Sequence, residues 1–453
     1  MRFLRTTDIA APPAEVYAWH ARPGAFERLV PPWERVRVLS RRGGIADGDE
    51  AVLEMRLGPL PVRWRARHQD HVPGRQFADR QVDGPFARWL HTHRFVETPA
   101  GTRLEDDIDY APPLGPLGAL ADMTVIRRTL ARTFAFRHAV TRGDIETQQR
   151  YAGPTMRVAV TGASGLVGTS LVPFLTTAGH EVVRLVRQPS GAAGTAAWDP
   201  ATGRLDLDAV GEGDAGVHLA GAGIADRRWT EAHKRDIRAS RVHPTAALCR
   251  TLAALPRKPR VLVCASAVGY YGDRGAEELT EQSAPGDGFL PSICVEWERA
   301  ADAARDAGIR VVHARLGIVL SARGGALAQM LPPFRLGAGG RLGSGRQYMS
   351  WVALDDVLGA IYHVVQRPEV TGPMNVTGPT PVTNADFTAT LARVLGRPAL
   401  LPVPALALRT LFGEMAGPLL LEGQRVLPRV LEKSGYAFRH PSLEAALRHE
   451  LGR

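Results

Sequence analysis

Three glycines at three-residue spacing, in Thr161-Gly162-Ala163-Ser164-Gly165-Leu166-Val167-Gly168, constrain this chain more than any other stretch. They follow the strand-like run Val158-Ala159-Val160, open a helix-like run over 167–178, and precede a second strand-like run over 181–186. A strand turning sharply into a helix gathers open N–H groups at the positive end of the helix dipole, which is where a pyrophosphate binds. Gly162 permits the tight turn, Gly165 lets the backbone approach the phosphates, and Gly168 lets the helix pack closely. An ordinary glycine-rich turn would account for the triplet alone. The strand, turn, helix, strand order points to a dinucleotide, with Gly162 through Gly168 as its phosphate loop.

An NAD site places an acid at the end of the second strand to hold the ribose 2'-hydroxyl. No Asp or Glu occurs from Val182 through Trp198, whereas Arg184 and Arg187 lie on and just beyond that strand. A guanidinium there pairs with a 2'-phosphate, so the cofactor expected is NADP, with NAD less favoured. In an arginine-rich chain a solvated surface arginine is the plainer alternative.

Strand-like and helix-like runs continue to alternate, with further strands over 216–220, 260–265 and 310–316, which predicts a doubly wound parallel sheet. With 453 residues the chain has room for two or three domains. Its formal charge of +10 suggests nucleic acid at first sight, but the excess is spread along the chain and is nearly all arginine, the lysines being Lys234, Lys258 and Lys433. No nucleic-acid partner is expected. Cys249, Cys264 and Cys294 have no metal-ligand spacing and no disulfide pattern, so neither a metal site nor an oxidising compartment is expected. The start of the chain lacks an apolar leader, and the apolar stretch over 402–421 is broken by Arg409 and Glu414; a cytoplasmic protein without a membrane segment is the expectation.

Residues 1–147 read differently. Short alternating runs at 35–40, 50–57, 62–71, 88–97 and 102–110 predict an antiparallel sheet, and a long helix is expected from Ala121 to Val140. The sheet-then-helix layout and the opening Ala11-Pro12-Pro13-Ala14-Glu15-Val16-Tyr17-Ala18-Trp19 resemble the START-like helix-grip domains of the polyketide-cyclase and lipid-carrier (SRPBCC) superfamily. That resemblance implies an α+β fold around a cavity for an apolar ligand, the alternative being a filled core. Residues 144–155, without apolar periodicity and carrying Gly153-Pro154, read as a linker.

From residue 156 the chain resembles the extended short-chain dehydrogenase/reductases, and among them the atypical epimerase-family proteins related to nucleoside-diphosphate-sugar epimerases. The matching stretches are His218-Leu219-Ala220-Gly221, Ser266-Ala267-Val268-Gly269-Tyr270-Tyr271-Gly272-Asp273, Arg315-Leu316-Gly317, Gly343-Ser344-Gly345-Arg346-Gln347, Trp351-Val352 with Asp355-Asp356, and Gly372-Pro373-Met374-Asn375. The resemblance implies a Rossmann-like domain over 156–395 and a small α-rich domain over 396–453. It also implies Leu219, Ala220, Gly221 and Arg315 on the cofactor side, Ser266 near the nicotinamide, and Arg346 with Gln347 on the substrate side. Dehydrogenases of that superfamily use Tyr-x-x-x-Lys, and the three lysines are preceded at that distance by Thr230, Ala254 and Arg429. The motif is absent, and Cys294-Val295-Glu296-Trp297-Glu298 stands where it belongs.

A tyrosine without the lysine keeps its proton near neutral pH, so it donates one more readily than it accepts one. Reduction survives that restriction better than epimerisation. Tyr270 and Tyr271 are the candidate donors, Ser266 a hydrogen-bonding partner and Cys294 a further catalytic candidate; the plainer readings are aromatic packing for the tyrosines, and a core cysteine beside a solvated glutamate for Cys294 and Glu298. The leading reading is an NADP-dependent oxidoreductase or epimerase-like enzyme acting on a small apolar or sugar-like substrate. Its rivals are a non-catalytic NADP-binding regulator, linked to redox state or cell division, and a lipid or quinone carrier acting through the first domain.

Overall fold

The computed structural model describes the chain apart from residues 59, 114, 116–117, 119–121 and 189–190. Its contacts divide into two compact units: residues 1–150 with 176–179 and 451–453, and residues 151–175 with 180–450.

In the first unit seven antiparallel strands form one sheet. Arg2–Ile9 pairs with Gly101–Ala111, and the order then runs back through Arg88–Thr98, Gln76–Asp83, Leu60–Val72 and Glu50–Leu57 to Arg37–Arg42. Two strands of this sheet escape the sequence reading, and both for the same reason. Arg2–Ile9 buries only Phe3 and Ile9, and Gln76–Asp83 only Phe77 and Ala78, so neither shows apolar alternation. The helix Arg127–Arg150 follows a π-helical turn, Asp122–Ile126, and lays Leu130, Phe134, Val140 and Ile145 against the sheet. Ala121, the expected start of that helix, lies outside the described residues.

The helix also runs further than expected, because Asp144 is drawn inward by Arg28 through paired hydrogen bonds of 2.7 Å, and Ile145 and Thr147 are buried beyond it. Residues 144–150 are therefore helix and not linker. Between sheet and helix lies a cavity of about 720 Å³, walled in part by Trp33, Trp64, Trp89, Leu130 and Phe134. The tryptophans line the space without filling it, while Trp19 belongs to the core beside Val16, Phe77 and Phe95.

The second unit is built on a seven-stranded parallel sheet in the order Thr195–Ala197, Glu181–Val186, Arg157–Thr161, Ala215–His218, Val261–Ala267, Arg310–Leu316, Gly372–Val376. Its middle strands are buried on both faces, as a sheet covered by helices on each side requires. The order reverses between Arg157–Thr161 and Ala215–His218, and that reversal opens a crevice at the carboxyl ends of the strands. Residues 396–450 lie within this unit. Buried Asp356 holds them by accepting hydrogen bonds from the amides of Arg439 (2.7 Å) and His440 (3.0 Å) and from the Tyr436 hydroxyl (3.1 Å).

Tyr151, expected in the linker, is also part of this unit. It is 3% exposed, stacks on Tyr436, packs edge-on against His363, and accepts a 2.7 Å hydrogen bond from the Ala437 amide. A fragment of residues 151–453 should therefore fold more stably than one of 156–453. Losing this aromatic anchor should cost about 3 kcal/mol, read as a lower denaturant midpoint for the shorter fragment; equal midpoints would show that Tyr151 contributes nothing.

Candidate functional site

The glycine loop sits at the crevice. Gly162 has a φ of 68°, and a Cβ there would come 2.7 Å from the Leu219 carbonyl carbon and 2.8 Å from the Ala220 amide nitrogen. A Cβ on Gly168 would meet the Gly162 carbonyl oxygen at 2.2 Å, so this glycine lets the helix pack against the loop itself. The Gly165 amide donates to the Gly162 carbonyl inside the turn (3.0 Å). Among the described residues the amides of Leu166, Val167 and Gly168 meet no acceptor, just where the helix Gly168–Thr177 begins. Ser164 and Gly165 are exposed, Ala163 half-buried. These open donors and the side-chain-free approach fit a pyrophosphate.

Beneath the loop a buried polar chain fixes the Leu219-Ala220-Gly221 segment. The Thr245 hydroxyl gives its one proton to the Arg241 carbonyl (2.6 Å), so it accepts from Trp297 Nε1 and from His218 Nε2, both at 2.9 Å. His218 Nδ1 is then the acceptor for the Thr161 hydroxyl (2.7 Å), whose oxygen accepts the Leu219 amide (3.2 Å). Burial pulls the His218 imidazole down to about 4, consistent with this neutral tautomer.

At the far end of the second strand Arg187 is exposed, and Arg184 is half-buried with a long 3.4 Å contact to the Ala193 carbonyl.

Three other candidates converge across the crevice. Glu298, on the helix Phe289–Arg299, accepts from Ser266 (2.7 Å) and from Nε and one Nη of the Arg315 guanidinium, both at 2.8 Å. The glutamate expected to be solvated is thus a half-buried ion-pair partner, and Arg315, expected on the cofactor side, is committed to it with its side chain only 3% exposed. Arg315 also donates to the Tyr271 hydroxyl (2.9 Å), which in turn donates to Asn375 (2.7 Å). Burial pushes that hydroxyl up to about 12, against the pull of Arg315. With no exposure and its bonds committed, Tyr271 serves as a strut.

Tyr270 differs. Arg315 lies over one face of its ring, 3.5 Å from the centroid, while its hydroxyl has no partner among the described residues. Burial and then Glu298 push the Cys294 thiol up to about 12, and its sulfur makes only a 3.8 Å contact to the Ala267 carbonyl. A thiol held so firmly protonated is no nucleophile.

Gly269 and Gly272, on either side of the tyrosines, line a cavity of about 600 Å³ that Trp229, Phe289, Arg409, Glu422 and Gln424 also line. Burial and nearby Asp273 raise the Glu422 carboxyl, while Arg409 lowers it. Sequence reading missed Arg409, Glu422 and Gln424 as wall residues, since they come from an apparently featureless tail. Arg346 and Gln347 do not line this cavity. Arg346 is exposed, and Gln347 spends its amide on the carbonyls of Leu342 (3.0 Å) and Leu420 (2.9 Å).

Comparison with known proteins agrees with this layout. Residues 158–377 match the NAD dependent epimerase/dehydratase family, residues 9–136 the polyketide cyclase / dehydrase and lipid transport family, and residues 403–450 a domain of unknown function. An epimerase family protein of Mycobacterium bovis is 44% identical over 290 residues, which are 64% of this chain and 96% of that protein. The chain belongs to the epimerase family. A crystal structure described as the nucleoside-diphosphate sugar epimerase from Corynebacterium glutamicum is 34% identical and covers 99% of this chain and 90% of its own, with a TM-score of 0.80. That of human epimerase family protein SDR39U1 with NADPH is 37% identical, covers 65% of this chain and 98% of its own, and has a TM-score of 0.60. This epimerase-family chain thus has an NAD(P)-binding fold behind a cyclase-like first unit. Among the described residues no helix is long and apolar enough to cross a membrane.

Two outcomes follow from the site's electrostatics. By ¹⁵N NMR, His218 should keep its proton on Nε2 and stay neutral between pH 7 and 5. Its folded value lies below the unfolded 6.5, so its share of stability is present above pH 6.5 and is lost as pH falls toward 4. Glu298→Lys, which restores the missing lysine, should cost at least about 3 kcal/mol in chemical denaturation, because it sets a second cation against buried Arg315; an unchanged midpoint would mean the pair carries no load.

Proposed function

We propose that this epimerase-family chain is an NADPH-dependent reductase acting on a carbonyl or an activated double bond of a small substrate. The observation that carries the reading is the replacement of the proton-relay pair. Cys294 and Glu298 stand in the stretch where the tyrosine and lysine belong, and Glu298 is closed off by Arg315. Without that lysine neither Tyr270 nor Tyr271 is poised to strip a proton from a substrate hydroxyl in the way that oxidation or epimerisation demands. Donating one is still possible through Tyr270, whose hydroxyl has no partner among the described residues and which stands, its ring stacked on Arg315, between Gly269 and Gly272 of the 600 Å³ cavity's wall.

Bound NADPH would supply the hydride. The chain's own part is to cradle the pyrophosphate with the amides of Leu166, Val167 and Gly168, to meet the 2'-phosphate with Arg187 and Arg184, and to seat the substrate beside Tyr270. The description of the human relative with NADPH supports the choice of cofactor. The cavity of the first unit supports an apolar ligand there.

A non-catalytic NADPH-binding protein is the competing reading, favoured by how fully Tyr271, Cys294 and Glu298 are committed to structure. Substrate-dependent consumption of NADPH, screened over carbonyl and enone compounds, separates the two. With a substrate in hand, Tyr270→Phe should lower kcat by roughly a hundredfold or more while the Kd for NADPH stays put. Arg187→Glu should invert the cofactor preference, and equal dissociation constants for NADPH and NADH in the unaltered protein would sink the assignment of the arginines.

A further inference from the structure

The cavity of the first unit has a polar floor that neither the sequence motifs nor the reductase reading explains. His91 and His93 sit two residues apart on Arg88–Thr98, so both project from the same face of the sheet. Strand register sets Asp79 opposite His91 on one side and Asp106 opposite His93 on the other. One oxygen of Asp106 lies 2.9 Å from His91 Nε2 and 2.6 Å from His93 Nδ1, and its other oxygen lies 2.7 Å from His138 Nε2 on the long helix. The remaining nitrogens of the pair, His91 Nδ1 and His93 Nε2, turn toward one oxygen of Asp79 at 3.1 and 3.9 Å. Asp79, His91 and His93 all line the cavity.

We propose that Asp79, His91 and His93 bind a divalent first-row transition-metal ion at the floor of this cavity, with Asp106 as the positioning residue for both imidazoles. Two imidazoles and one carboxylate suit zinc, iron(II), cobalt or nickel and not calcium or magnesium, which take oxygen donors. Donor atoms about 2.1 Å from a shared ion stand about 3.0–3.4 Å apart; the two carboxylate-to-nitrogen separations, 3.1 and 3.9 Å, are close to that, and all three donor atoms lie within 4.8 Å of one another. A carboxylate on the far nitrogen of each metal-binding histidine is the arrangement that fixes tautomer and ring orientation in such sites. Here one carboxylate serves both rings, and His138 and Thr7 (2.9 Å from His138 Nδ1) hold it in turn.

Three protein donors leave coordination positions open, and Trp64, Phe77 and Trp89 line the same cavity, which gives room for an oxygen or nitrogen donor on an otherwise apolar ligand. A second group in the other unit, Asp355, His440 and His449, also brings donor atoms together. There the guanidinium of Arg439 stands 3.6 Å from Asp355 and competes with a cation, so the first group is the stronger.

The test uses full-length protein stripped with chelator and titrated with Co²⁺ alone, followed by its visible absorption and by calorimetry. One equivalent should bind at micromolar concentration or tighter. His93→Gln should abolish that binding, Asp106→Asn should weaken it about 10- to 100-fold, and His449→Gln should leave it unchanged. Failure of the unaltered protein to bind Co²⁺ below millimolar concentration would overturn the proposal. So would binding that survives His93→Gln or disappears with His449→Gln. If His93→Gln does not fold, paramagnetically shifted proton signals from two histidine rings in the cobalt-loaded protein decide the matter, and their absence refutes the site.

Discussion

The pair between Glu298 and Arg315 is the interaction on which the second unit's crevice depends. It bolts the helix Phe289–Arg299 to the strand Arg310–Leu316, and it does so twice over, since both carboxylate oxygens meet the fork of the guanidinium. Only an arginine could then also bond Tyr271 and present its flat face to Tyr270, because a lysine has neither the fork nor the plane. Through Tyr271 the same arginine reaches Asn375, and Asn375 reaches the Leu427 carbonyl at 3.0 Å. One desolvated charge pair thus sets the position of two tyrosines, a neighbouring strand and part of the C-terminal segment.

The five central strands of the parallel sheet were readable because they are apolar, while the edge strands Thr195–Ala197 and Gly372–Val376 were not read. Arg157–Thr161, Glu181–Val186 and Arg310–Leu316 fall where the pattern puts them, and most of the first unit's strands follow from their alternation. What was hidden has a common cause, which is pairing between residues distant in the chain. Glu298 looks solvated until Arg315 is set beside it, residues 144–150 look like a linker until Arg28 is set against Asp144, and Gln76–Asp83 looks like a loop until strands flank it on both sides. Tyr271 and Tyr270 are adjacent and chemically identical, and only the fold tells the strut from the free hydroxyl.

Histidine pairs are read poorly from a sequence for a related reason. His91-Thr92-His93 is unremarkable by itself, and the two carboxylates that give it meaning come from strands on opposite sides. An alternating strand delivers both rings to one face, but which residues share that face is a matter of register between strands, and register is not written locally.

The contact between Gly162 and the Leu219-Ala220 backbone has a consequence for how such a protein can diverge. The turn proposed to receive the phosphates is locked by backbone against backbone, in a place where even one methyl group will not fit, whereas Arg187 beyond the second strand stands at the surface. Tolerance to change is therefore divided between two neighbouring parts of one site. Descendants of this chain can change the surface arginine at little cost to the fold, and they are bound to keep the shape of the loop.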